Sequence, residues 1–369
     1  MTRYVLMNKN TPVQDFCTRH DEFGDIEIVA GKQYTHKMPL GFVNLQAFLE
    51  GRMAPRHRKH IKEILERFQR EDLEGFFRVS HATSLNDTYW VRSAEESLRW
   101  EDVSLYTNQF NDWIARAAFD GNFSGTSSTF PSPEFGTDGR FAKCWVRDAD
   151  SIRLYKAGSN TFEMEPISEY LASQLAMAFC KDAVHYDLTF YHGKLASTCA
   201  LFTSEEIGLV KCHALLHETV QKSQATLVKD VLNLYEHYGF GDLCRRMYVF
   251  DALCLNIDRH LGNFGMLFDT NTLQICAPAP LYDNNRSLLF DLDDDQLERA
   301  DWFIQKLAPR IGKSFLSVGK GMLTDSIRKD LKNLQGFRFE NHSRVFISDK
   351  RLQILSRIVN RQISALLVQ

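Results

Sequence analysis

Long apolar runs are missing from this chain. No stretch approaches the roughly 20 residues that a membrane-spanning helix needs. The N-terminal M-T-R-Y-V-L-M-N-K-N lacks the apolar core and small-residue cleavage site of a secretory signal. A dominant charge is also missing. Lys plus Arg number 44 and Asp plus Glu 47, a formal net charge of −3. Nothing therefore pulls the whole surface toward nucleic acid or anionic lipid. Paired cysteines are missing too. The eight Cys, at positions 17, 144, 180, 199, 212, 244, 254 and 276, stand singly with no C-x-x-C. They read as reduced, mostly buried thiols rather than a disulfide framework. There is no internal repeat and no low-complexity tract. The expectation is a cytoplasmic protein with no membrane contact.

What is present is core material. Hydrophobic residues make up 44% of 369, enough for two cores without a metal or disulfide staple. Length alone suggests two to three domains. Strand-like pieces at Arg3–Met7 and Ile26–Val29 open the chain. Residues 56–70 read as a helix with Pro55 just ahead and a stripe of Ile61, Ile64, Leu65 and Phe68. The run R-H-R-K-H at 56–60 reads as a solvated helix face, with a nucleic-acid patch as the alternative. Residues 121–140 are rich in Gly, Pro, Ser and Thr and read as a long loop.

A strand follows at 151–158, S-I-R-L-Y-K-A-G. Alternation puts Lys156 on the face of Ile152 and Leu154. A lysine there is costly unless something anionic meets it. A helix over 166–179 carries Ile167, Leu171, Leu175 and Ala178 on one stripe and Glu169, Ala172 and Ala176 on another. The two small residues beside Glu169 allow a strand to come close. His192-Gly193 separates two strand-like pieces as a tight hairpin turn. From residue 204 onward the periodicity is helical, including E-E-I-G-L-V-K-C-H-A-L-L-H, 242–255, 324–335 and 350–368.

The polar stretch N-I-D-R-H-L-G-N-F-G spans 256–265. Gly262 and Gly265 read as the turns that end the preceding helix. G-M-L-F-D and L-Q-I-C-A-P-A-P-L-Y-D then form a hairpin whose ends bring Asn263 and Asp283 together, with Asp258 nearby. Asp258, Asn263 and Asp283 suit phosphoryl transfer. One Asp accepts the proton of an attacking hydroxyl, and an Asn and a second Asp give magnesium the hard oxygens it prefers. A strand Lys and a helix Glu upstream complete the set, and the Asp-to-Asn offset of five matches the kinase catalytic loop.

N-I-D-R-H-L-G-N-F-G followed by A-P-L-Y-D-N resembles the signature of HipA-like serine/threonine kinases. D-R-H-x-x-N is shared with phosphatidylinositol-kinase-like enzymes. The resemblance covers roughly 121–300. It implies an α+β, two-lobed protein-kinase-like fold of the HipA type, with an α/β N-terminal lobe and a mostly helical C-terminal lobe. The segments would be 1–120, an α/β subdomain; 121–203, the nucleotide-binding lobe; and 204–369, the catalytic lobe. The implied cofactors are ATP and Mg2+. Asp258 would be the base, Asn263 and Asp283 the metal ligands, and His260 a supporting residue. Lys156 would touch the phosphates and pair with Glu169, with Glu165 as the substitute. Phe202 would meet adenine, and Gly139 and Lys143 would belong to the phosphate-covering loop.

Autophosphorylation within 124–137, at Ser132 or Thr137, is also implied, as are a protein substrate and a small helix-turn-helix partner of the antitoxin kind. Direct nucleic-acid binding is not expected. The chain departs from the ordinary kinase pattern in lacking G-x-G-x-x-G, and its first 120 residues carry no motif of the family. A lipid or small-molecule kinase and a pseudokinase binding module are the alternatives. Cys212, His213 and His217 lack a fourth ligand for zinc, and D-L-D-D-D at 291–295 reads as a solvated acidic turn.

Overall fold

A computed structural model describes residues 2–20, 22, 26–55, 58–67, 73–124, 131–148, 151–159, 163–216 and 223–368, the side chains of Leu65, Arg67, Gln224 and Ala225 aside. The chain packs as two compact units. The first comprises Met1–Lys156, Leu201–Val210 and Leu267–Cys276. The second comprises Ala157–Ala200, Lys211–Met266 and Ala277–Gln369. Their limits follow packing, a different criterion from the motif-based segments 1–120, 121–203 and 204–369.

The chain opens with strands β1 (Thr2–Asn8), β2 (Thr11–His20) and β3 (Ile26–Gln33). Helices α1 (Leu45–Glu50), α2 (Ile61–Arg67) and α3 (Leu73–Ser80) follow, then β4 (Tyr89–Ser93), α4 (Trp100–Val103) and α5 (Asp112–Asp120). The strands form an antiparallel sheet in the order β3-β2-β1-β4. Alternation along β1 buries Tyr4 and Leu6 against Phe16, Phe76, Phe77 and Trp113. Tyr4 stacks on Phe16 at 5.4 Å and meets Phe77 edge-on at 5.2 Å. Side-chain caps start two of the helices: Asn44 accepts from the Ala47 N–H and Asn111 from the Ile114 N–H.

The basic run before α2 is not a solvated helix face. Residues 56 and 57, with Phe68 of the expected stripe, lie outside the described residues. From Arg58 to His60 the chain turns, His60 at φ 66°, and the helix begins only at Ile61. Arg58 is buried and forms an ion pair with fully buried Glu134. It also donates to the carbonyls of Glu134 and, at 2.8 Å, Lys143. A guanidinium committed to the interior cannot lie on a wet helix surface, so the helix starts late. Glu134 in turn accepts from the Trp145 N–H at 2.8 Å. The pair thereby anchors a short 3-10 turn at Pro133–Gly136 to strand β5 (Lys143–Asp148). Strand β6 (Ser151–Ala157) pairs antiparallel with β5, with Lys156 opposite Lys143.

Next come α6 (Glu165–Phe179), β7 (Asp187–Tyr191), β8 (Lys194–Ala200), β9 (Ile207–Lys211) and α7 (Cys212–Leu216). His192 and Gly193, at φ 47° and 75°, close the β7–β8 hairpin, as the twist of paired strands prefers. The helical expectation fails at 207–211. That stretch is β9, the edge of a three-stranded sheet of order β11-β10-β9 with β10 (Gly265–Asp269) and β11 (Ile275–Pro278). A short apolar run has no decisive period, and Gly208 lets the ring of Phe268 lie against its backbone.

The rest is helical. α8 (Gln224–His237) and α9 (Gly241–Cys254) precede β10, and α10 (Ala300–Ile304), α11 (Phe315–Gly321), α12 (Asp325–Asn333) and α13 (Asp349–Leu367) follow. α9 is the hub of the second unit, buried without a break from Met247 to Cys254. It packs on α6, α8, α11 and α13. The acidic stretch 291–295 is not simply solvated. Asp294 accepts from Ser348 and, at 2.8 Å, from Arg351 Nε, so it docks the start of α13. The architecture is mixed α/β with antiparallel sheets. Among the described residues no helix is long and apolar enough to cross a membrane.

Candidate active site

α9 stops before either glycine of N-I-D-R-H-L-G-N-F-G. Its cap is Leu255 in the left-handed region at φ 55°, with its N–H on Asp251 O. Gly262 and Gly265 are not among the residues of positive φ. Gly262 is required for space instead: a Cβ there would fall 2.9 Å from the His260 ring. The loop then bonds to itself. Asn256 Oδ1 accepts from the Asp258 N–H at 3.0 Å. The Asp258 carbonyl accepts from the His260 N–H at 2.7 Å and from Asn263 Nδ2 at 3.0 Å. These bonds fold Asp258, His260 and Asn263 onto one another.

Arg259, the middle residue of D-R-H, holds the loop from below. It is buried and bonds both oxygens of Asp251 in α9, with Nη2–Oδ1 at 3.0 Å and Nε–Oδ2 at 3.1 Å. Its Nη1 donates to two carbonyls, Asn263 at 3.1 Å and Tyr282 at 2.8 Å. Nη2 also donates to Asn284 Oδ1 at 2.5 Å. One side chain thus joins the loop bearing Asn263 to the segment bearing Asp283. Tyr282 adds a bond from its hydroxyl to the Gly262 carbonyl at 3.1 Å.

Asp258 is half-buried, and its Oδ1 lies 3.5 Å from Arg286 Nη1. His260 Nδ1 accepts from the Gly262 N–H at 3.1 Å, so the proton of the neutral ring sits on Nε2. Desolvation pushes the His260 pKa down, and the opposing pull of Asp258 and Asp283 does not restore it. The ring is therefore neutral near pH 7. Asp283 has φ 56°, unusual for a non-glycine residue. Its N–H donates to the hydroxyl of Tyr186 at 3.2 Å.

Glu169 is fully buried on α6 with Ala172 and Ala176, and β8 packs on that helix. Its Oε2 accepts from Ser197 of β8 at 2.6 Å. Glu165 is also buried and accepts from the Ser159 N–H at 3.0 Å. On the expected core stripe of this helix Ala178 is exposed and Phe179 takes the buried place.

Lys156, Lys143, Gly139, Phe202, Ser132 and Thr137 belong to the first unit. Lys156 and Lys143 are both buried, side by side across β5 and β6. Gly139 has φ 95°, and a Cβ there would collide with Lys143 Nζ. Phe202 is half-buried, two residues beyond the end of β8. Ser132 is buried, its hydroxyl accepting from the Glu134 N–H at 3.3 Å, and Thr137 donates to the Pro133 carbonyl at 2.8 Å. Thr126, Ser127, Ser128 and Thr129 lie outside the described residues, as does His217. Cys212 is buried and His213 is exposed.

A hard divalent cation suits the second unit's donor set. The Asn263 amide nitrogen is spent on Asp258 O, which leaves Oδ1 as its donor oxygen, and Asp283 supplies a carboxylate. Among the described residues no three His, Cys, Asp or Glu side chains converge to hold a metal unaided. Magnesium asks for few protein ligands and takes the rest from water and phosphate.

No protein-family model and no curated protein matches the chain. Among solved structures, HipA of the Shewanella oneidensis MR-1 toxin–antitoxin system, in complex with HipB and operator DNA, matches 98% of this chain. The match covers 96% of that HipA, with a TM-score of 0.55 at 10% identity. The fold is HipA-like. The Helicobacter pylori proinflammatory kinase CtkA is similar over 62% of this chain and 89% of its own, at 18% identity and a TM-score of 0.47. The HipA-like fold takes in the first 120 residues, which carry no motif of that family. Their signal is the sheet and its apolar alternation alone. Sequence reasoning also passed over Arg259, Asp251 and Tyr186, whose bonds join α9, the 256–263 loop and the segment of Asp283. A buried Arg beside Asp in D-R-H was the available hint.

Proposed function

We propose that the chain is an ATP- and Mg2+-dependent kinase that phosphorylates a serine or threonine of a protein. The observation that carries this is Arg259 Nη1, bonded at once to the carbonyls of Asn263 and Tyr282 in a chain of HipA-like fold. It ties the D-R-H-x-x-N loop to the segment of Asp283.

In the proposed reaction the acceptor hydroxyl oxygen attacks the γ-phosphorus of ATP, its proton passes to an Asp258 carboxylate oxygen, and ADP leaves. Asn263 and Asp283 would hold Mg2+, which when bound neutralises charge on the phosphates. Lys156 and Lys143 would meet phosphate oxygens. Glu169 would orient Lys156, Gly139 would let the backbone approach the nucleotide, and Phe202 would contact adenine. His260, neutral with its proton on Nε2, would serve as a hydrogen-bond donor in the site.

Ser132 or Thr137 would be autophosphorylated once the Pro133–Gly136 turn opens, since both hydroxyls are engaged within it. A phosphate of about −1.5 to −2 charge there would repel ATP. Because the likeness to HipA extends over both chains, a small helix-turn-helix protein of the HipB kind is the proposed partner. Any operator DNA would be contacted through it, as the chain's balanced charge suggests.

The test is transfer of label from radiolabelled ATP to protein, with wild type, Asp258→Ala and Asp283→Ala, followed by mass spectrometry of 131–137. Labelling by wild type alone is expected. Equal labelling by the variants would overturn the site. Transfer to lipid or a small molecule would overturn the protein acceptor, and nucleotide-independent partner binding with no label would favour a pseudokinase.

A further inference from the structure

Tyr186 is used by none of the roles above. It is buried, in the segment between α6 and β7. That segment runs alongside the one bearing Asp283. Val184 N–H donates to Leu281 O at 2.8 Å, and Leu281 N–H to Asp182 O at 2.9 Å, a parallel bridge centred on Ala183 and Leu281. The Tyr186 N–H is fixed on Ser173 Oγ of α6 at 3.2 Å. From this brace the phenol oxygen reaches the N–H of Asp283 at 3.2 Å.

Asp283 sits at φ 56°. A non-glycine residue in that region is strained and persists only where its surroundings over-determine it. Arg259 fixes the residues on both sides, through the Tyr282 carbonyl and Asn284 Oδ1. The strained residue's own N–H donates to the Tyr186 hydroxyl. Burial raises the Tyr186 pKa well above the ordinary phenol value, with Glu169 next among the causes and Asp283 also contributing.

We propose that Tyr186 is the positioning residue for Asp283: its hydroxyl sets the backbone of the metal-binding carboxylate and links it to helix α6, which carries Glu169. This rests on the assignment of Asp283 as a metal ligand.

The test replaces only the oxygen, with Tyr186→Phe, in the full chain. Mn2+ serves as the probe, its free fraction followed by electron paramagnetic resonance in the presence of ADP. The Mn2+ midpoint is expected to rise about tenfold, as loss of one partner of a buried hydrogen bond predicts. ADP affinity without metal is expected to stay at the wild-type value, which a merely structural defect would not spare. A wild-type Mn2+ midpoint in Tyr186→Phe, with Asp283→Asn still impaired, would overturn the role of Tyr186 and leave Asp283 standing. Mn2+ binding indifferent to Asp283→Asn would overturn both assignments. If Tyr186→Phe does not fold, 3,5-difluorotyrosine at 186 keeps the shape while weakening the oxygen as an acceptor. A smaller rise in the midpoint is then expected, and no rise overturns the proposal.

Discussion

Arg259 and Asp251 form a buried ion pair that is also a clamp. The carboxylate comes from the last turn of α9, and the guanidinium it holds carries the carbonyls of Asn263 and Tyr282 on a single nitrogen. The pair connects the hub of the second unit to both halves of the candidate site.

Breaking the clamp should therefore separate stability from chemistry. Arg259→Ala strands Asp251 as a buried unpaired carboxylate and is expected to cost about 3–5 kcal/mol in denaturant unfolding. The double replacement Arg259→Met with Asp251→Leu should recover much of that stability, since apolar side chains replace such pairs well. It should not recover phosphoryl transfer, because neither residue can bond the two carbonyls. A double variant with wild-type turnover would show that the clamp does not shape the site.

The pair Arg58–Glu134 should behave similarly in the first unit, with a local consequence. Arg58→Met leaves Glu134 fully buried without its ion-pair partner, still accepting from the Trp145 N–H. The expected loss is about 3 kcal/mol, with proteolysis accelerated near 131–137. Unchanged protection of that stretch would mean that the ion pair does not anchor it.

Gly139→Ala meets two obstacles. Its φ of 95° is unfavourable for any residue with a Cβ, and that Cβ collides with Lys143 Nζ. A loss of about 1 kcal/mol or more in stability is expected. Lys143 should shift, and ATP binding measured by calorimetry should weaken by more than the stability change implies. Unchanged ATP affinity would remove Gly139 and Lys143 from the nucleotide site.

Asp294 gives a pH dependence with a definite sign. Partial burial pushes its carboxyl up, but bonds from Ser348 and Arg351 outweigh this and hold it below its ordinary value. A depressed folded-state pKa contributes stability above the unfolded value of about 3.9, lost as pH falls through the lower folded one. The melting-temperature gap between wild type and Asp294→Asn should be constant from neutral pH to about 5. It should close as the solution is acidified below about 4. A gap that persists at pH 2 would mean that the ionised form is not what docks α13.

Local signals were enough for several elements. The alternation in S-I-R-L-Y-K-A put Lys156 on the buried side of its strand. The Ala172 and Ala176 spacing beside Glu169 marked the face that β8 covers, and the polar cluster at 256–265 marked the loop. Each is a statement about neighbours in the chain, where period and residue size decide. The sequence misled where the deciding partner was remote. Arg58 looks solvated until Glu134, 76 residues on, accepts its charge. Ile207–Lys211 looks helical until β10 lies beside it, and Asp294 looks like part of a wet turn until Arg351 arrives. Asp283 could be suspected from its place at the end of the expected hairpin, but not its left-handed backbone or the Tyr186 hydroxyl that meets it. Backbone strain is tolerated only where distant groups enforce it, so only the tertiary structure could decide it.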